Sequence, residues 1–161
     1  MNNIFQNHTQ IKDLISQLKS EGKKIVFTNG VFDIIHRGHI EYLNGAKSLG
    51  DVLVVGLNSD KSVKIIKGDK RPIVKQENRA FILANLKPVD FVVIFNEDNP
   101  LNLIKAVVPD ILVKGTDWAD SDIIGADVVK QNGGEVKRIK FVENNSSTSI
   151  IDEILRKYNA S

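Results

Sequence analysis

Apolar residues fall into two kinds of pattern along the chain. Ile11, Leu14, Ile15 and Leu18 recur at helical spacing before Gly22, which predicts an amphipathic leading helix over Thr9 to Glu21. Lys24 to Thr28, Val52 to Leu57, Phe91 to Phe95, Ile111 to Lys114 and Val136 to Phe141 are short, near-continuous apolar runs instead. Such runs predict strands buried on both faces. Helical stretches separate them. Gly38 to Leu49 is closed by Gly50, and Gln76 to Leu86 ends before Pro88. Pro100 to Val108 has proline at its first position, and Ile123 to Asn132 is capped by Gly133-Gly134. Thr148 to Tyr158 closes the series. Ser59 to Lys75 is polar and basic, carries Gly68 and Pro72, and reads as a loop with a short helical turn. Met1 to Gln10 is polar and reads as an unstructured start.

Strand and helix alternate throughout, which predicts an α/β fold. The expected form is a Rossmann-like, doubly wound, parallel five-stranded sheet with helices on both faces. Nothing resembling a repeat or a linker divides the chain. Residues 1–161 therefore read as one domain, with a leading helix over 1–22 and the core over 23–161. The apolar stripe of the leading helix fits either its own sheet or a second copy. In such a fold ligands bind at the carboxyl ends of the strands, where the strand order reverses. Function is therefore sought in the loops after Thr28, Leu57, Phe95, Lys114 and Phe141.

Composition narrows the classes. Hydrophobic residues make up 42% and charged residues 26%, as in soluble globular domains. The net charge of +2 comes from scattered residues, where a nucleic-acid binder would show a basic stripe. A mild, scattered excess suits an anionic small substrate. The absence of cysteine excludes disulfides and thiol catalysis. No apolar run approaches the ~20 residues that span a bilayer, and no signal region opens the chain. The expectation is a cytoplasmic protein with neither nucleic acid nor membrane as partner.

The chemistry concentrates after the first strand. Thr28-Asn29-Gly30-Val31-Phe32-Asp33 leads into His36-Arg37-Gly38-His39, where two histidines flank a glycine at the start of a helix. A helix N-terminus offers free N–H groups and partial positive charge, and imidazoles there can donate to phosphate oxygens. Metal binding and core packing are the competing roles for such histidines, but their spacing matches no zinc pattern. Asn58-Ser59-Asp60 is a polar strand exit. Lys67-Gly68-Asp69-Lys70-Arg71-Pro72 fits either a solvated basic loop or a phosphate-binding mouth. Arg79, on a helix, suits a structural ion pair. Lys114-Gly115-Thr116-Asp117-Trp118 follows the fourth strand, and its tryptophan suits stacking or packing. Ser147, Thr148 and Ser149 enter the last helix, where hydroxyl residues cap and the same N–H groups bind phosphate.

These blocks together resemble the nucleotidyltransferase superfamily with the HxGH motif, and within it the heptose 1-phosphate adenylyltransferases. The resemblance runs from about Lys23 to Tyr158. It implies transfer of AMP from ATP to a heptose 1-phosphate, for lipopolysaccharide or related surface-glycan precursors. The catalytic residues would be His36, His39, Lys67 and Arg71. The nucleotide would meet Thr28, Asn29, Gly30, Phe32, His36, Gly38, His39, Lys114, Gly115, Asp117, Ser147, Thr148 and Ser149. The acceptor would meet Asp33, Asn58, Asp60, Lys67, Arg71 and Trp118. Mg²⁺ would be held mainly by the triphosphate and water, with no side-chain ligand set assigned. Asp33 suits either a water-mediated contact to that ion or the fixing of its loop. A homodimer is expected. In many relatives this domain is fused to a sugar kinase, so this chain would be the stand-alone version. The alternatives are a cytidylyltransferase for glycerol 3-phosphate or a phospho-amino alcohol, and a non-catalytic nucleotide-binding domain on the same fold.

Overall fold

A computed structural model describes residues 3–116, 123–140 and 146–159. Six strands form one parallel sheet in the order β1-β4-β3-β2-β5-β6. They are β1 Ile4–Phe5, β2 Ile25–Gly30, β3 Val52–Asn58, β4 Phe91–Phe95, β5 Ile111–Gly115 and β6 Glu135–Ile139. The helices are α1 His8–Ser20, α2 Arg37–Lys47, α3 Asp60–Lys67, α4 Gln76–Ala84, α5 Leu101–Val107, α6 Ala126–Gln131 and α7 Ser147–Tyr158. The chain steps outward from β2 through β3 to β4, then returns to lay β5 and β6 on the other side of β2. The order thus reverses between β2 and β5, and a crevice opens above their carboxyl ends.

The central strands alternate their faces although nearly every residue in them is apolar. Val26, Leu53, Val55, Val92, Ile94 and Val113 pack with Tyr42, Leu43 and Ala46 of α2 and Leu83 of α4. Ile25, Phe27, Val54, Val93 and Leu112 pack on the other face with Ile11 and Ile15 of α1, Leu103 and Ile104 of α5, and Val129 of α6. Both faces are covered, which is why polar residues in these strands are confined to their carboxyl-terminal ends, at Thr28, Asn29, Asn58 and Lys114. The stripe of α1 is spent on its own sheet. Edge strand β6 departs from the pattern and has no buried residue. No helix of the described residues is long and apolar enough to cross a membrane.

Two elements differ from the sequence reading. A sixth strand exists where an unstructured start was expected. β1 pairs Ile4 with Val92 and Phe5 with Val93, and the Val92 N–H donates to the Asn3 carbonyl at 2.9 Å. Two residues are too few to show periodicity, and their stability comes from the ladder of β4. Asp60–Lys67 is a full helix where a loop with one turn was expected. Ser59 caps it by accepting from the Ser62 N–H at 3.2 Å. Only Val63 among its apolar residues is buried, so its core-facing stripe is too narrow to stand out against the lysines.

Val108, which ends α5, lies in the left-handed region at φ 44°, ψ 64°. A β-branched side chain there meets the backbone, at a cost of about 1–2 kcal/mol. Asparagine tolerates this conformation. Val108→Asn should raise stability by about 1 kcal/mol, read as a higher urea midpoint at unchanged slope.

Candidate active site

A cavity of about 590 Å³ lies over the carboxyl ends of β2, β3 and β5, with the Asp98–Pro100 segment that follows β4 in its wall. The exit from β2 forms its floor. Gly30 is required there, because a Cβ would lie 2.9 Å from the Phe32 ring. Phe32 itself adopts φ 47°, a conformation that L residues pay to hold. This turn sets its ring against His39, with centroids 5.1 Å apart.

His36 and His39 stack with centroids 3.8 Å apart and planes at 26°. His36 is the N-cap position of α2 and His39 lies in its first turn. His39 lines the cavity, and His36 stacks on it from outside the lining. Nδ1 of both rings is buried without a hydrogen-bond partner among the described residues. An unpaired buried N–H costs more than an unpaired lone pair, so we assign the proton of each neutral ring to Nε2. Burial pushes His39 down to about 4, with the neighbouring His36 adding to the effect. Burial lowers His36 as well. Both rings therefore enter neutral at pH 7, as donors without charge.

This depression couples folding to pH. Above the ordinary histidine value of 6.5 neither folded nor unfolded His39 binds a proton, and its contribution is complete. As pH falls from 6.5 towards about 4, the unfolded chain takes up a proton that the folded one refuses, and stability declines. Urea melts between pH 7.5 and 5 should show this slope, and His39→Gln should flatten it.

Asp33 is 2% exposed and wholly engaged. Its Oδ1 accepts from the Ile73 and Val74 N–H groups at 2.9 and 2.8 Å, and its Oδ2 from Arg71 Nε at 2.6 Å. Burial pushes this carboxyl up, but the two N–H groups and the Arg71 guanidinium more than offset it and hold it below the ordinary value. Of its two sequence-level roles, fixing the loop is the one its contacts perform: it clamps the 71–74 segment over the cavity. Arg79 is fully buried and donates to the carbonyls of Val74, Val31 and Asn58 and to Asp60 Oδ1. The structural ion pair expected for it is present.

Asn29, Asn58, Lys67, Arg71, Lys114, Gly115, Ser147 and Thr148 also line the cavity. Lys114 Nζ donates to Asn29 Oδ1, joining β5 to β2 at the switch point. Ser147 Oγ donates to the Ile34 carbonyl at 3.1 Å, and the Ile34 N–H approaches the same oxygen at 3.2 Å. These contacts bring the N-terminus of α7 against the histidine loop. Ser146 and Ser149 form a reciprocal capping box there.

Several residues singled out from sequence stand elsewhere. Thr28 is fully buried below the cavity, its hydroxyl 2.8 Å from the Tyr42 hydroxyl and 3.1 Å from the Val113 carbonyl. Asp60 is outside the lining and pairs with Arg79. Gly38 is buried in α2, and Ser149 is a cap. Asp117 and Trp118 lie outside the described residues. Conversely, Tyr42, Ser146 and the Asp98-Asn99-Pro100 segment line the cavity and were not singled out. Asp98 to Pro100 was legible only as the loop following the third predicted strand.

A family model described as cytidylyltransferase-like matches residues 27–154. The bifunctional protein HldE of Geobacter metallireducens is 52% identical over 154 residues, covering 96% of this chain and 31% of that protein. HldE of a Nitratiruptor species is 56% identical over 151 residues, 94% of this chain and 32% of its own length. The chain thus spans about a third of the length of the curated relatives it matches. The lipopolysaccharide core biosynthesis protein from Thermoplasma volcanium superposes with a TM-score of 0.63 at 32% identity, covering 77% of this chain and 100% of that one. The pantoate–β-alanine ligase of Francisella tularensis shares the fold, with a TM-score of 0.62 at 20% identity over 95% of this chain and 78% of its own.

Proposed function

The chain belongs to the cytidylyltransferase-like family of nucleotidyltransferases, and from that premise we propose that it transfers AMP from ATP to a heptose 1-phosphate, releasing pyrophosphate. One observation carries the reading. Two helix N-termini, those of α2 and α7, meet at a cavity lined by His39, Lys67, Arg71 and Lys114. Such a site collects N–H dipoles and cations around a polyanion. The choice of ATP and heptose rests on the likeness to the HldE proteins and on the Lys67–Pro72 and Lys114–Trp118 blocks.

An acceptor phosphate oxygen attacks the α-phosphorus in line. The new bond joins acceptor oxygen to α-phosphorus, the bond to the β-bridging oxygen breaks, and its electrons leave with pyrophosphate. The acceptor is already ionised at pH 7, so no protein nucleophile is required, and catalysis is positioning plus charge stabilisation. His39 donates through Nε2 to the α-phosphoryl oxygens, and His36 fixes its ring. Lys67 and Arg71 hold phosphates. Ser147 and Thr148 present the α7 N-terminus to the triphosphate, and Asn29, Gly30, Phe32, Lys114 and Gly115 bound the nucleotide, with Asp117 and Trp118 proposed beside them. The cavity supplies cations and dipoles rather than a free carboxylate pair, and Asp33 is already spent. This fits Mg²⁺ carried by triphosphate oxygens and water, where it would neutralise charge on the phosphates. The domain is proposed to span 1–161, to work as a cytoplasmic homodimer, and to need no nucleic acid.

Pyrophosphate release tests the reading. Purified protein with Mg²⁺ would receive ATP or CTP, each with D-glycero-β-D-manno-heptose 1-phosphate or glycerol 3-phosphate. Release only with ATP and the heptose is expected. Release with CTP and glycerol phosphate would overturn the substrate assignment, and no release with any pair would overturn the activity.

A further inference from the structure

Asp98 is a carboxylate in the wall of a cavity otherwise built for anions. It follows β4 and is held in place by neighbouring elements. The Ser59 N–H donates to the Phe95 carbonyl at 2.9 Å. Asn58 Nδ2 donates to Ser62 Oγ at 2.9 Å, and that hydroxyl donates to the Glu97 carbonyl at 2.5 Å. Asn99 Nδ2 donates to Asp98 Oδ1 at 2.8 Å, while Asn99 Oδ1 accepts from the Leu101 N–H. Asp98 is exposed, and its Oδ2 accepts no hydrogen bond from a described residue, so that oxygen is open to water or to a ligand in the cavity. Its neighbour Glu97 is spent on its own loop, accepting from the Asn96 N–H and from Asn102.

An ionised carboxylate only accepts hydrogen bonds, and it repels a phosphate set beside it. Its natural counterpart in a cavity that also binds phosphate is a neutral donor on the same ligand, a hydroxyl. Asp98 and Asn99 share the cavity lining with Lys67 and Arg71, so a phosphate held by those two cations leaves the hydroxyls of the same molecule in the space that Asp98 lines. We infer that Asp98, held by Asn99 and by the Asn58–Ser62 relay, binds the hydroxyl groups of a polyol phosphate and so selects a sugar phosphate as acceptor. This rests on the proposed transfer reaction and adds the group that recognises its acceptor.

Asp98→Asn keeps size and shape while removing the charge. Losing a charge-assisted hydrogen bond should raise KM for heptose 1-phosphate about 10- to 100-fold. KM for ATP and the Mg²⁺ dependence should stay within about twofold of wild type, and Glu97→Gln should behave as wild type. Calorimetry separates this inference from the reaction it rests on, using heptose 1-phosphate, mannose 1-phosphate and orthophosphate as probes. Weaker binding of either sugar phosphate by Asp98→Asn, with orthophosphate binding unchanged, supports the inference even if wild type shows no turnover. Three results would overturn it: equal sugar-phosphate affinity in wild type and variant, no sugar-phosphate binding by wild type, or a defect confined to Mg²⁺ or ATP.

Discussion

His39→Ala is expected to lower kcat by about 10²- to 10³-fold while leaving the affinity for ATP within about tenfold of wild type. The ring is neutral in the free protein because burial and the neighbouring imidazole push it down to about 4. Its value in the reaction is therefore a fixed Nε2–H donor, placed before charge develops on the α-phosphoryl oxygens. Such a donor strengthens as the pentavalent arrangement forms, so its loss falls on kcat. Ground-state binding of the triphosphate is shared with Lys67, Lys114 and the α7 N-terminus and survives. His36→Ala should cost less than His39→Ala, because His36 is outside the cavity lining and acts through the stacked ring. Steady-state kinetics of both variants, with ATP affinity measured by calorimetry, check this. A raised KM for ATP at unchanged kcat would place His39 in ground-state binding instead.

The sheet was legible because β2, β3, β4 and β5 bury both faces and so leave continuous apolar runs. The same logic explains what was lost. β1 has two residues and relies on its neighbour's ladder, and β6, expected over Val136–Phe141, is an exposed edge that spans Glu135–Ile139, with Phe141 outside the described residues. Helix α3 hides behind its lysines, since Val63 alone among its apolar side chains is buried. Helix α7 was readable as Thr148 to Tyr158 from the hydroxyl residues at its entry, one residue short of Ser147–Tyr158, although none of its residues is buried.

At the site, the histidine loop was legible because glycine, histidine and a strand-to-helix junction coincide there. Depth was not. Thr28 and Asn29 are adjacent, yet alternation along β2 puts one under the cavity and the other in its wall. Asp60 and Asp98 both follow strands, and only tertiary contacts separate them: one pairs with a buried arginine, the other faces the ligand space. Asp33 and Arg71 are 38 residues apart and bonded at 2.6 Å. Sequence spacing carries no trace of that pair, and with it the 71–74 segment becomes a wall of the site.

Arg79→Met is expected to destabilise the fold by about 3–5 kcal/mol, the cost of removing one partner from a buried charged network. Arg79 is fully buried, and its fork ties three separate segments. Nη1 holds the carbonyls of Val31 at 2.6 Å and Asn58 at 2.8 Å, Nε holds Val74 at 2.8 Å, and Nη2 meets Asp60 at 2.7 Å. Methionine fills much of the volume but leaves three carbonyls unpaired. Lysine keeps the charge and loses the planar fork, so it can satisfy only part of the set, and Arg79→Lys should fall between wild type and Arg79→Met. Asp60→Asn should cost far less, since its side chain is 32% exposed and water can replace it. The same segments carry Phe32, Asp33 and the Arg71 loop, so loosening them should also raise KM for the acceptor at temperatures where the variants remain folded. Urea unfolding at constant slope, paired with kinetics at 15 °C, separates the two effects. If Arg79→Met melts like wild type, the three loops are held by their other contacts, with the Asp33 clamp as the principal one.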